Sequence, residues 1–240
     1  MNSTMALEMA RDLAQLVRNI DGYGLEETRT RVIDAARLSL GCAGASLWQL
    51  SRPGEAHLDA STDATLARSL ARRLSKNPEG PMWEAATTRK TVVCPDFTTE
   101  RRWPGYIDQV MSETTARSSV AYPLVSGGHD SSVLALYSDQ AGYFTSPVVQ
   151  LGMTFAIHAA IVLEKSAMRD RNENLHVALS SNRRIGMAIG VLMAQRKVTE
   201  EQAFGMLRAV SQCSHVKLYE VAEQVLLTGE LDSVPMAQSA

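Results

Sequence analysis

From Thr145 to Gln195 the chain reads TSPVVQLGMTFAIHAAIVLEKSAMRDRNENLHVALSSNRRIGMAIGVLMAQ, with Pro147, near the start, as the only helix breaker. Such a run is too long for one globular helix without a partner. Steps of seven give a first row of Ile161, Met168, Leu175, Asn182 and Ile189, with Ala178, Ile185 and Leu192 on the matching second row. Apolar residues at heptad spacing suit a parallel coiled-coil dimer, and one asparagine on the inner row fixes register. Met168, Leu175, Asn182 and Ile189 are therefore the expected dimer seam. Glu164 and Arg171, on the earlier second row, weaken that end of it.

What lies on either side differs in character. Upstream, residues 5–19 carry apolar side chains near helical spacing, and GLEETRTRVIDAARLSLG predicts a second helix with Leu25, Val32, Ile33, Ala36 and Leu40 inward. ASLWQL and AHLDA, separated by the turn SRPGE, predict a hairpin, and the helical pattern DATLARSLARRL follows. TVVCP, SVAYPLV and SSVLALYS predict three more strands, the last two joined by the turn SGGHD. Helices before and between antiparallel strands predict an α+β domain.

Downstream, Thr199 with Gln202 forms a capping box, opening a helix with Ala203, Phe204, Leu207 and Val210 inward. Ser214 is a candidate cap for another, with Leu218, Val221, Ala222, Val225 and Leu226 inward and Gly229 as the stop. The expected partition is a sheet domain with an N-terminal helix over 1–164, a linker and three-helix domain over 165–230, and a disordered tail over 231–240.

Charge narrows the partners. The net charge is -2, yet Lys165 to Glu230 holds nine Lys/Arg against seven Asp/Glu, and no acid falls between Asn174 and Thr199, where Arg183, Arg184, Arg196 and Lys197 stand. That segment can approach an anion. Within it, RRIGMAIGVLM places two glycines four residues apart, at a cost of roughly 1 kcal/mol each in a helix relative to alanine. Such glycines point to close backbone approach, either tight packing within the three-helix unit or approach by a ligand. As a membrane-dimer motif, GMAIG lies in too short an apolar run.

Other classes are disfavoured. Three cysteines without CxxC spacing signal neither a disulfide framework nor zinc, and reduced core residues are expected. The start lacks a leader pattern and no run reaches the apolar length of a bilayer span, so the protein is expected to be cytoplasmic and to need no membrane. The five histidines form no metal-ligand pair, although His57, His129 and His158 are open as haem ligands. No P-loop, nucleophile elbow or HExxH is present, and no enzyme is expected. Trp48, Trp83, Trp103 and Tyr106 either line a small-molecule pocket or belong to the core. No cofactor is specified.

Residues 181–226, SNRRIGMAIGVLMAQRKVTEEQAFGMLRAVSQCSHVKLYEVAEQVL, closely resemble the ANTAR domain, a three-helix RNA-binding module of bacterial antitermination regulators. Ile185, Ala188, Gly190, Leu192 and Met193 match its first helix, Ala203, Phe204 and Leu207 its second, and Lys217, Val221 and Ala222 its third. Where the family often has a basic residue, Asn and Arg, this chain has Ile189, His215 and Tyr219. Upstream, GASLWQL, EGPMWEAATTRKTVVCPDF, RRWPGY, SSVAYPL and VLALYS resemble a GAF sensor domain, in the order of actinobacterial GAF-ANTAR proteins.

The resemblance implies an antiterminator whose paired ANTAR domains grip stem-loops in nascent RNA under control of a GAF domain; such domains bind many different ligands or none, and a small molecule is the candidate ligand. The candidate RNA-binding residues are Arg183, Arg184, Ala188, Gly190, Arg196, Lys197, Ser214, His215, Lys217 and Tyr219. The alternatives are a helix-turn-helix DNA-binding regulator and a sensor scaffold that acts through a protein partner.

Overall fold

The computed structural model describes residue 11 and residues 22–52, 55–63, 67, 70–72, 76–124 and 131–231. The helix expected over 5–19, most of the helix in DATLARSLARRL, the turn SGGHD with His129, and the tail beyond Leu231 lie outside the described residues. The chain divides into two compact units, Met1–Asp170 and Arg171–Ala240.

The first unit is built on helix α1 (Leu25–Ser39), strands β1 (Gly44–Arg52) and β2 (Glu55–Ser61), helix α2 (Pro81–Thr88), β3 (Val92–Cys94), α3 (Pro104–Glu113), β4 (Ser118–Leu124) and β5 (Ser131–Ser138). The long helix α4 (Ser146–Arg196) begins in this unit and continues into the second. Local chemistry sets the boundaries. Glu26 and Glu27 lie in the first turn of α1 and Arg37 in its last, matching the helix dipole. Prolines open α2 and α3 at their first turns, where a missing N–H costs nothing.

The sheet is antiparallel throughout, in the order β2-β1-β5-β4-β3. Both faces are covered, which explains why SVAYPLV and VLALY read as nearly continuous apolar runs. Alternation then sorts the side chains. Ala45, Leu47, Val120, Tyr122, Leu134 and Leu136 meet α1 and α4, while Trp48, Leu50, Ala121, Val133, Ala135 and Tyr137 meet α2 and α3. Gly152 lies where α4 crosses Tyr122: a Cβ there would stand 2.6 Å from the ring Cζ, too close for any side chain. The Tyr122 hydroxyl donates to the Val149 carbonyl at 3.2 Å.

By length and composition α4 could cross a membrane, with an 18-residue window of mean hydropathy 1.6. This differs from the sequence expectation, because Gln150, Thr154 and His158 interrupt the run without lowering its average enough. In the fold Leu151, Phe155, Ala159 and Val162 pack on the sheet, so one face of this helix supplies core rather than lipid contact.

In the second unit α4 is joined by α5 (Glu200–Ser214) and α6 (Leu218–Thr228). Ala188, Leu192, Ala203, Leu207, Val221, Ala222 and Val225 form its core. Thr199 caps α5 with the expected box: its side chain accepts from the Gln202 N–H, and Gln202 returns the bond to the Thr199 N–H. Gly229, at φ 74°, ends α6 in the left-handed conformation.

Four expectations are corrected here. Ser214 does not cap α6; it is the last residue of α5, and Lys217 holds the cap position without a side-chain bond. Phe204 is not inward but 40% exposed. Leu231, assigned to the tail, packs in the three-helix core. All three cysteines are free, but Cys213 is exposed and only Cys42 and Cys94 are buried, where burial pushes each thiol up to about 12.

Candidate nucleic-acid interface and sensor cavity

The helical wheel of α4 from Ser181 to Arg196 divides sharply. Ala188 and Leu192 are wholly buried, Ile185, Ile189 and Val191 are half-buried against the core, and Arg183, Gly186, Met187, Gly190, Met193 and Ala194 face solvent. Nothing lies within 4 Å of a Cβ added at Gly186 or Gly190. Packing inside the unit therefore explains Ala188 and does not explain Gly190, whose Cα is left bare on an exposed face.

The candidate RNA-binding residues separate accordingly. Arg183, Gly190, Arg196, Lys197, His215 and Lys217 are exposed. Lys197 and His215 both adopt left-handed backbone, at φ 54° and 56°, at the ends of α4 and α5. Arg184 is half-exposed and bound to Glu223 of α6 at 3.0 Å. Tyr219 donates its hydroxyl to Glu220 at 2.8 Å, and this bond raises its pKa above the usual range.

Two candidates are excluded from direct contact. Ala188 has no exposed surface, and Ser214 is buried with its hydroxyl donated to the Val210 carbonyl at 2.7 Å. Both are core residues: motif spacing places them in the helices but does not distinguish the inner side of a helix from its outer one.

The row of residues expected to form a dimer seam is exposed over most of its length. Met153, Ile157, Ile161 and Met168 form an uncovered row on α4 in the first unit, and Leu175 and Asn182 are exposed in the second. Ile189 departs from the row: it packs partly against the three-helix core, which limits the free seam to residues N-terminal of it. Met153, Ile157 and Ile161 also border an open groove of about 680 Å³ with Arg89, Lys90, Tyr122 and Pro123.

Of the two readings of the aromatic residues, the structure favours core. Trp48, Trp103 and Tyr106 are buried in the core beside α2 and α3, and Trp83 packs half-buried against it. Of the four, only Trp48 borders a second cavity in the first unit, about 570 Å³, with Ser46, Thr62, Asp63, Thr114 and Tyr137. Trp48 Nε1 donates to Ser46 Oγ at 2.7 Å and the Tyr137 hydroxyl to Met82 Sδ at 3.5 Å, so its deep wall is polar at isolated points. His57 is exposed and paired with Asp59 at 3.1 Å, and His158 is exposed and bonded to the Thr154 carbonyl. Among the described residues no group of three His, Cys, Asp or Glu could hold a metal.

Comparison with known proteins identifies the two domains. Residues 173–226 match the ANTAR domain and residues 23–164 the GAF domain. The first unit resembles the GAF domain of a phosphoenolpyruvate-protein phosphotransferase from Coxiella burnetii, at 16% identity and TM-score 0.52 over 69% of this chain and 98% of that one. It also resembles free methionine-R-sulfoxide reductase from Neisseria meningitidis, at 15% identity and TM-score 0.54 over 70% of this chain and 95% of that one. A similar likeness holds for an N-acylhomoserine lactone-dependent LuxR family transcription factor from Burkholderia cenocepacia, at 14% identity and TM-score 0.54 over 66% and 94%. At such identities the likeness establishes fold alone. No match was found among curated proteins. The chain belongs to the GAF domain family and carries a C-terminal ANTAR domain, joining a sensor domain to an RNA-binding antitermination module.

Proposed function

We propose that the protein is a cytoplasmic homodimer that binds paired RNA stem-loops through its two ANTAR domains and so prevents terminator formation. The observation that carries this reading is the exposed face of α4, free of acids from Asn174 to Thr199, with Arg183 beside the open Gly186 and Gly190. Duplex RNA hides its base edges in a deep, narrow groove, whereas loop bases are accessible, so loops supply specificity. Arg183, Lys197 and Lys217 supply affinity through phosphates. A bare glycine backbone admits a sugar-phosphate strand more closely than any side chain would.

The exposed row Ile161, Met168 and Leu175 supports pairing of two α4 helices. A small molecule in the GAF domain then acts by favouring one arrangement of that pair over another, since a ligand shifts an equilibrium only by its differential affinity. Sedimentation of the wild type and of Met168→Asp/Leu175→Asp tests the dimer. We expect a dimeric wild type, and a monomeric variant with weakened binding to two-loop RNA; a monomeric wild type, or a variant that binds as well as its parent, contradicts the reading.

A further inference from the structure

Phe204 is a large apolar side chain that the three-helix core leaves out. Ala203 beside it and Leu207 three residues on are wholly buried, yet Phe204 keeps 40% of its surface in solvent. It is not among the buried or half-buried residues of the core formed by the same helix. Gly205, the next residue, is also exposed and has nothing within 4 Å of an added Cβ, so the helix surface on that side is uncovered too. Arg208, four residues on, is its neighbour on the helix surface. Arg208 is exposed and has no acid partner among the described residues. Glu200 and Glu201 lie one turn before Phe204 and are also exposed, so the charge around the ring is negative toward the start of α5 and positive toward Arg208.

We propose that Phe204 and Arg208 form a base-stacking site on α5, in which the Phe204 ring takes the face of an unpaired RNA base and Arg208 holds the adjoining phosphate. The inference rests on the RNA-binding reading above and adds a site on a second helix to it. An aromatic face stacks on any base, and an arginine one turn away sets the direction in which the strand leaves, away from Glu200 and Glu201. Stacking supplies affinity without charge, whereas Arg208 supplies a contact that salt weakens. The two residues therefore carry separable signatures.

The test uses the full chain and an RNA stem-loop enriched by the wild type from a pool with randomised loops, with 2-aminopurine then placed at each loop position in turn. Phe204→Ala should weaken binding by about 5- to 150-fold, as loss of one stacked base does, with an unchanged salt slope. It should also abolish a 2-aminopurine quench that the wild type gives at one loop position, and Phe204→Tyr should restore both. Arg208→Gln should lower the salt slope by about one. Thermal melting confirms that each variant is folded, and Phe204→Tyr keeps the test decisive if Phe204→Ala is not. Binding and quenching by Phe204→Ala equal to wild type overturn the proposal while leaving RNA binding intact. Loss of the dimer in sedimentation, rather than of the quench, makes Phe204 a subunit contact and also overturns it. A wild type that enriches no loop overturns the RNA reading and this site together.

Discussion

Arg184 of the ANTAR domain's first helix is held by Glu223 of its last helix at 3.0 Å, and the two side chains remain 43% and 42% exposed. An exposed pair of this kind contributes only about 0.2–1 kcal/mol, so a phosphate can compete for the arginine. If Arg184 contacts RNA as proposed, Glu223 opposes that contact. Glu223→Gln is expected to tighten RNA binding by about 2- to 5-fold at low salt, an effect that fades as salt rises. Titration of labelled RNA at several salt concentrations measures it, and unchanged affinity at every salt contradicts the competition.

Gly186 and Gly190 separate stability from function. Neither has a neighbour that a methyl group would meet, so Gly186→Ala and Gly190→Ala should each stabilise the helix by roughly 0.5–1 kcal/mol. Both should nonetheless weaken RNA binding, and Gly190→Leu more than Gly190→Ala. Denaturant unfolding beside RNA titration checks the pair; a stabilised variant with undiminished binding removes these glycines from the interface.

His215 ends α5 at φ 56°, a conformation that histidine and asparagine tolerate and β-branched residues do not. The family's frequent Asn at this position therefore has a backbone explanation. His215→Asn should leave stability within about 0.5 kcal/mol, whereas His215→Val should lower it by roughly 1–3 kcal/mol. Thermal melting distinguishes this from an RNA-contact role, which would lower binding in both variants without moving the melting temperature.

How far the sequence carries the structure depends on the kind of signal. The capping box at Thr199 and Gln202 and the stop at Gly229 are local chemistry, and each appears where expected. The strands are legible for the same reason, since ASLWQL and VLALYS combine turn-bounded length with β-branched and aromatic residues. Inner and outer faces are not local. Phe204 and Leu207 share the same apolar type and near-helical spacing, and only the packing of neighbouring helices makes one exposed and the other buried. Trp103 and Tyr106 show the same limit: their type suits either pocket lining or core, and only the packing around α3 assigns them to the core. The Arg184–Glu223 pair joins residues far apart in sequence, so no window could reveal it.

In the GAF domain Glu100 accepts from Arg102 Nη2 at 2.7 Å and from the Arg101 and Arg102 N–H groups at 2.9 Å. The Arg102 bond is the main cause that lowers its carboxyl from 4.5 to about 2, with the backbone bonds adding to it. A lowered carboxylate stabilises the fold above its ordinary pKa and loses that contribution as pH falls through the folded value. Glu100→Gln should therefore cost roughly 1–3 kcal/mol at neutral pH. The difference from wild type should shrink between pH 4.5 and about 2. Denaturant midpoints across that range check it, and a constant difference contradicts it.

The central claim is tested most directly by equilibrium binding of the full chain to a two-stem-loop RNA, to the same RNA with scrambled loops, and to a matched DNA duplex, over a salt series and with Arg183→Glu in parallel. The account predicts tight, loop-dependent and salt-sensitive binding to the first RNA alone, lost in the variant. Equal weak binding to all three nucleic acids, unchanged in Arg183→Glu, would contradict it and make the helical end a docking site for a protein partner.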